Sequence, residues 1–251
     1  MINKIKRRLY LLIPRAIFFI KIKLGFHKVD SLKDFLERKS KNNSKRVWII
    51  GNGPSLKIED LERIPENDIT IVANKFYKIF HLTTFRPDVV VSSDEQVLSD
   101  FGERILKEYN DSYIAFLSDY IRPFGGNQFL RVYKSIKLKK GTSKSYYNGG
   151  GSLFLGIQLM FSIGYKDFVL LGIDHDFDYL VQAGDKSFSE GNHMVENYRD
   201  GKPWITPRIS QIENSFKLIK SQLETNNGSI FNSSRKTKLP HIKKKEFELF
   251  L

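Results

Sequence analysis

The sequence of 251 residues has no cysteine, which excludes disulfides, iron–sulfur clusters and thiolate zinc sites, and suits a reducing or indifferent compartment. It has no repeat of fixed period, so solenoids and propellers are excluded. The longest apolar runs of its amino-terminal flank, Leu9–Ile13 and Ala16–Ile20, are split by Pro14 and Arg15. Neither approaches the ~20 apolar residues that cross a bilayer. The interruption, with no small-residue cleavage site after it, also makes a poor signal peptide. Acidic side chains are scarce beside basic ones, 28 against 41. What is present is an apolar content of 41% with 13% aromatics, the make-up of a folded α/β domain with a sizeable core.

A net charge of +13 invites a nucleic-acid reading, so its distribution matters. Residues 1–46 hold 14 Lys and Arg against 3 Asp and Glu, and residues 235–251 hold 6 against 2. The intervening 47–234 hold 21 against 23, a nearly neutral body. A nucleic-acid-binding core is therefore not expected. The flank KIKRRLYLLIPRAIFFIKIKLGF alternates cations with large apolar side chains. That pattern suits a helix lying in the interface of an anionic membrane, each cation contributing about 1 kcal/mol. The expected division is a basic amphipathic segment and linker over 1–45, then one domain over 46–251. The expected place is the cytoplasm, on the inner face of the cytoplasmic membrane.

Six short apolar runs read as strands: Arg46–Ile50, Ile69–Ala73, Asp88–Ser92, Tyr113–Leu117, Phe168–Leu171 and Ser229–Phe231. Helical stretches fall between them at Lys57–Arg63, Glu95–Tyr109, Ser152–Ile163 and Ile209–Asn226. The alternation predicts an α/β fold of Rossmann-like, doubly wound type, with a mostly parallel sheet and helices on both faces. Ligands of such sheets bind at the carboxyl ends of the strands, so the residues after each strand carry the functional signal.

Those residues are Gly51-Asn52-Gly53-Pro54-Ser55, then Asn74, Ser93-Asp94, Ser118-Asp119 and Gly172-Ile173-Asp174-His175-Asp176. A second glycine loop, Asn148-Gly149-Gly150-Gly151, leads into the helix at Ser152. Two glycine loops, each entering a helix, with amides and hydroxyls at successive strand ends, point to a nucleotide phosphate site. Neither loop is a P-loop, since GK[ST] is missing, and GNGPS lacks the dinucleotide glycine spacing. The segment 174–208 is long for a loop and reads as a lid or binding loop carrying Tyr179, His193, Tyr198, Trp204 and Arg208. His193 is the first candidate for a base, because an imidazole titrates near working pH and can take a proton from a hydroxyl. His175 is the second.

GNGPSLKIEDL followed by ITIVANKF resembles the amino-terminal half of bacterial sialyltransferases of the Campylobacter type. In that family a GNGPSL loop and a later N-x-F segment hold the CMP of CMP-sialic acid. GGGSLFLGIQLMFSIGYKDFVLLGID continues the likeness in order. RPDVVVSSD and GNHMVENY are similar to a wider family with the domain of archaeal 6-hydroxymethylpterin diphosphokinase, found also in flagellin-modifying and lipopolysaccharide-associated proteins. The resemblance covers roughly residues 46–250. It implies that Gly51, Asn52, Gly53 and Ser55 contact phosphate or ribose, and that Asn74 reaches base or phosphate. It implies that Ser152, with Gly150 and Gly151 before it, caps its helix and binds nucleotide, and that His193 is the general base. The family places phosphate-binding tyrosines soon after GID. Here His175 and Asp176 stand there, with Tyr179 nearby.

The leading expectation is a metal-independent glycosyltransferase without a resident cofactor. Its expected co-substrate is a nucleotide-activated sugar, CMP-linked and acidic such as sialic acid or Kdo, and its expected acceptor is a glycan or glycolipid of the lipopolysaccharide or capsule. The alternatives are an ATP-dependent diphosphokinase, in which Asp94 and Asp174 would coordinate Mg²⁺, and a non-catalytic membrane-associated nucleotide-binding module.

Overall fold

The computed structural model describes residues 31–117, 151–177 and 191–251, with the strand backbones at 128–133, 145–147 and 186–187. The apolar runs become strands whose alternate side chains feed two separate cores. In β1 (Val47–Ile50) Val47 and Ile49 point into one cluster, and Trp48 and Ile50 into the other. β2 (Ile69–Ala73), β3 (Val89–Ser92), β4 (Tyr113–Leu117) and β7 (Asp167–Leu171) are built likewise. Their continuous apolar character follows from burial on both faces.

These strands join β5 (Gln128–Tyr133), β6 (Ser145–Tyr147) and β10 (Ser229–Asn232) in one sheet, ordered β10-β7-β1-β2-β3-β4-β5-β6. Every neighbouring pair is parallel, with Val47 opposite Ile69 on one side and Phe168 on the other. β8 (Lys186–Ser187) and β9 (Trp204–Ile205) form a small antiparallel pair apart from it. The fold is the expected α/β Rossmann-like one. Its order reverses between β1 and β7, which sets the ligand crevice at their carboxyl ends.

One face is covered by α1 (Leu32–Arg38), α4 (Ser152–Ser162) and α5 (Ile209–Thr225). The other is covered by α2 (Ile58–Glu62), α3 (Glu95–Glu108), the 3₁₀ turn Phe76–Ile79 and the carboxyl-terminal turn Phe247–Phe250. α4 is buried along ten of its eleven residues, which explains its nearly uniform apolar sequence.

The sequence reads 31–45 as a polar, charged helix or a linker, and the structure has the helix: α1 is capped by Ser31 and buries Leu32 and Leu36 in the core. The folded body therefore extends ahead of residue 46, at least to Ser31. β5 and β6 were not anticipated, because Gln128 and Arg131 interrupt the apolar run of β5 and β6 is only three residues long. No helix among the described residues is long and apolar enough to cross a membrane; residues 1–30 lie outside them.

Candidate functional site

The loops after β1 and β7 are in direct contact. Gly51 N–H donates to the Leu171 carbonyl at 2.8 Å, and Gly53 N–H to the Gly172 carbonyl at 2.9 Å. A Cβ on Gly51 would sit 2.4 Å from the Gly172 oxygen, and one on Gly53 2.7 Å from the Asp174 carboxylate. Only glycine allows this approach. Asp174 is buried, and its carboxylate accepts the Ser55 N–H at 2.7 Å and the Ser55 hydroxyl. Asp174 and Ser55 thus brace the GNGPS loop against the end of β7. The helix that follows the loop, α2, starts at Ile58 and is five residues long.

The ends of β2 and β3 meet the start of α4 in a hydroxyl–amide cluster. Asn74, in the left-handed region at φ 56°, accepts at Oδ1 from Ser92 Oγ at 2.7 Å and from Ser152 Oγ at 3.2 Å. Ser152 Oγ accepts in turn the Ser93 N–H at 2.9 Å. Ser152 does not cap its helix: Gly151, at φ 88°, holds the N-cap position and Ser152 is the first helical residue. Asp94 is the N-cap of α3, accepting from Gln96 and Val97 N–H at 2.9 and 3.1 Å.

The segment 191–208 closes over these loops. Met194 N–H donates to the Asn52 carbonyl at 2.7 Å, and Asn52 Nδ2 donates to the Tyr198 hydroxyl at 3.3 Å. Tyr198, 3% exposed, also receives the Lys75 N–H at 3.2 Å. The His193 ring stacks on Tyr198, with centroids 3.8 Å apart and planes 9° from parallel. Burial, then the charges of Arg199 and Lys75, hold the His193 pKa down at about 4. The imidazole is therefore neutral at pH 7, the form that can accept a proton.

Lys75 is fully buried, packed over Phe101 at 3.7 Å and paired with Asp200 at 3.0 Å. Burial lowers its pKa to about 8 against the pull of Asp200. Asp200 also pairs with Lys78 at 2.5 Å. His175, with φ 51°, contacts Glu213 through Nε2 at 3.1 Å and meets Phe177 edge-on.

These parts enclose a cavity of about 270 Å³ at the β1–β7 crevice. Its walls include Gly51, Asn52, Gly53, Asn74, Asp94, Ser152, Asp174, His175 and His193, so most of the sequence-predicted site converges on one space. Ser55 and Gly151 stand next to it, Ser55 through Asp174 and Gly151 at the head of α4. Gly150 and Tyr179 lie outside the described residues. An adjoining groove of about 700 Å³ shares Pro54, Asp174 and Asn192 and carries Lys57, Arg235, Lys236 and Lys238 on its rim. Lys75 and Arg199 line or flank the site without having been anticipated, because nothing in the local pattern of NKF or NYRD signals burial of a cation.

No protein-family model and no curated protein matches the chain. Solved structures do align with it. The MAf glycosyltransferase from Magnetospirillum magneticum AMB-1 aligns with a TM-score of 0.51 at 13% identity, over 93% of this chain and 41% of that one. The α-2,3-sialyltransferase from Campylobacter jejuni, solved in apo form, aligns with a TM-score of 0.46 at 17% identity, over 82% of this chain and 81% of that one. The first likeness is one of fold. This chain shares the architecture of a solved glycosyltransferase while spanning 41% of its length.

Proposed function

We propose that the protein is a glycosyltransferase that moves a sugar from a nucleotide-activated donor, CMP-linked and acidic such as sialic acid or Kdo, to a surface-glycan acceptor. The observation that carries the reading is the convergence of the GNG loop, Asn74 and a neutral, stacked His193 on one cavity at the sheet's switch point. Asn52, Asn74 and the loop backbone would hold the nucleotide. His193 would take the acceptor hydroxyl's proton as the oxygen attacks the anomeric carbon, and the nucleoside monophosphate would leave with the electron pair of the broken bond. The basic groove beside the cavity offers the acceptor an approach. Asp94 and Asp174, the carboxylates a diphosphokinase would need for Mg²⁺, both hold backbone N–H groups, and this favours a metal-independent transfer.

Thermal shifts with CMP, CDP, UDP, ADP and ATP, each with Mg²⁺ or with EDTA, test the reading. Stabilisation by CMP that survives EDTA is expected. Stabilisation confined to ATP with Mg²⁺ would overturn it in favour of the diphosphokinase, and no response to any nucleotide would favour a non-catalytic module. The same proposal places the protein on the cytoplasmic face of an anionic membrane through residues 1–30. Deleting them is expected to abolish flotation with anionic vesicles, and unchanged flotation would refute the anchor.

A further inference from the structure

The cavity wall holds a cation that the fold leaves short of acceptors. Arg199 is 7% exposed and lines the cavity beside His193 and Tyr198. A guanidinium offers five N–H donors and accepts nothing. Nη2 donates to the Pro203 carbonyl at 3.2 Å, while Nε is buried without a hydrogen-bond partner. Among the described residues no carboxylate pairs with it. The nearby acids are engaged elsewhere: Asp200 is shared by Lys75 and Lys78, Asp174 holds Ser55, Asp176 pairs with Lys238, and Asp94 caps α3. Arg199, Lys75 and Lys78 thus have one carboxylate among them. A buried charged donor without an acceptor is destabilising, and such groups concentrate where a ligand completes them.

We propose that Arg199 is the anion receptor of this cavity, gripping with its planar fork a pair of anionic oxygens: the phosphate of the nucleoside monophosphate, or the carboxylate of an acidic sugar joined to it. The identity of the anion rests on the glycosyltransferase reading; the demand for an anion does not. In the transfer, the acceptor O–H bond breaks with its proton passing to His193, and the acceptor oxygen bonds to the anomeric carbon. The bond from that carbon to the phosphate oxygen breaks and leaves its electron pair there. With phosphate as the anion, Arg199 stabilises the charge that develops. The same contact acts on the base. Burial is the larger cause of the weak free imidazole and the charges of Arg199 and Lys75 the smaller; an anion held by Arg199 offsets that smaller part, so the base strengthens once the donor is seated.

Calorimetry and thermal shift on the full chain separate the outcomes, using inorganic phosphate, cytidine, CMP and free sialic acid against wild type, Arg199→Gln and Arg199→Lys. With phosphate as the anion, Arg199→Gln is expected to weaken CMP by about ten- to a hundredfold and leave cytidine unchanged, with Arg199→Lys in between. A loss confined to sialic acid would assign the carboxylate instead. Circular dichroism checks that the variants fold. If Arg199→Gln does not, Arg199→Lys carries the comparison, because it keeps the charge and removes the fork. Unchanged anion affinity in the folded variants overturns the proposal, as does a wild type that binds none of the anions. Phosphate binding through Arg199 with no response to CMP or sialic acid sustains the receptor and sinks the CMP-sugar reading.

Discussion

The two ends of the sheet treat buried charge differently. At the amino ends of the strands, Asp68 accepts the Trp48 indole N–H at 2.9 Å and pairs with Arg46 at 3.1 Å. Asp88 accepts from Thr70 N–H and Oγ1 at 2.9 and 3.0 Å and lies 3.4 Å from the Lys41 ammonium. Each acid there has its cation and its donors. At the carboxyl ends the balance is broken: Lys75 and Lys78 share Asp200, Arg199 has no carboxylate among the described residues, and His193 is held neutral by burial first and then by the charges of Arg199 and Lys75. The paired end is built for stability. The other end stores an unmet demand for negative charge, which is what a site for an anionic ligand requires before its ligand arrives.

The sharpest break is in chemistry. His193→Ala is expected to lower transfer by about 10²–10⁴-fold with a much smaller loss of CMP affinity, since the role proposed for the ring is to take the acceptor's proton. Single-turnover rates and CMP titration check it; retained turnover would refute the base. The next effect falls on the paired end. Asp88→Ala leaves the Thr70 N–H without its acceptor and takes the carboxylate away from the Lys41 ammonium, and is expected to cost about 3 kcal/mol in urea unfolding, with CMP affinity unaltered. A smaller effect of opposite sign is expected from Arg199→Met, which removes the unpaired charge. The melting temperature should rise by about 2–4 °C as anion binding disappears. A fall would mean that the guanidinium holds the fold together.

The last effect is confined to acid. In the unfolded chain the His193 imidazole takes its proton near 6.5, and in the folded protein near 4. Between those values the unfolded state holds more protons, so this residue's contribution to stability declines as the pH falls through that window and levels off below it. His193→Gln should flatten the decline in melting temperature between pH 6.5 and 4. An identical slope in both proteins would mean that the imidazole titrates normally.

Much of this was legible in the residues. Val, Ile, Phe and Leu in unbroken runs mark strands buried on both faces, and Gly51, Gly53 and Asn74 mark strand ends where backbone and amide must meet other loops. α1 was legible too: Ser31 as cap, with Leu32, Phe35 and Leu36 at helical spacing, is a docking face among charges. Its brevity left helix and linker both open. Lys75 and Arg199 carry no such pattern. Their burial arises when segments some 120 residues apart converge, and no local spacing encodes that. The roles of Asp174 and Ser152 were hidden for the same reason, because each bonds across the crevice or the sheet to a partner far along the chain.

Asn52 is joined to the segment of His193 by both its carbonyl and its side-chain amide. The loop proposed to seat the donor and the stretch that carries the proposed base are therefore tied together. A displacement of the loop would carry the imidazole with it and keep their separation. Variation in registration would then fall on the side of the proposed acceptor.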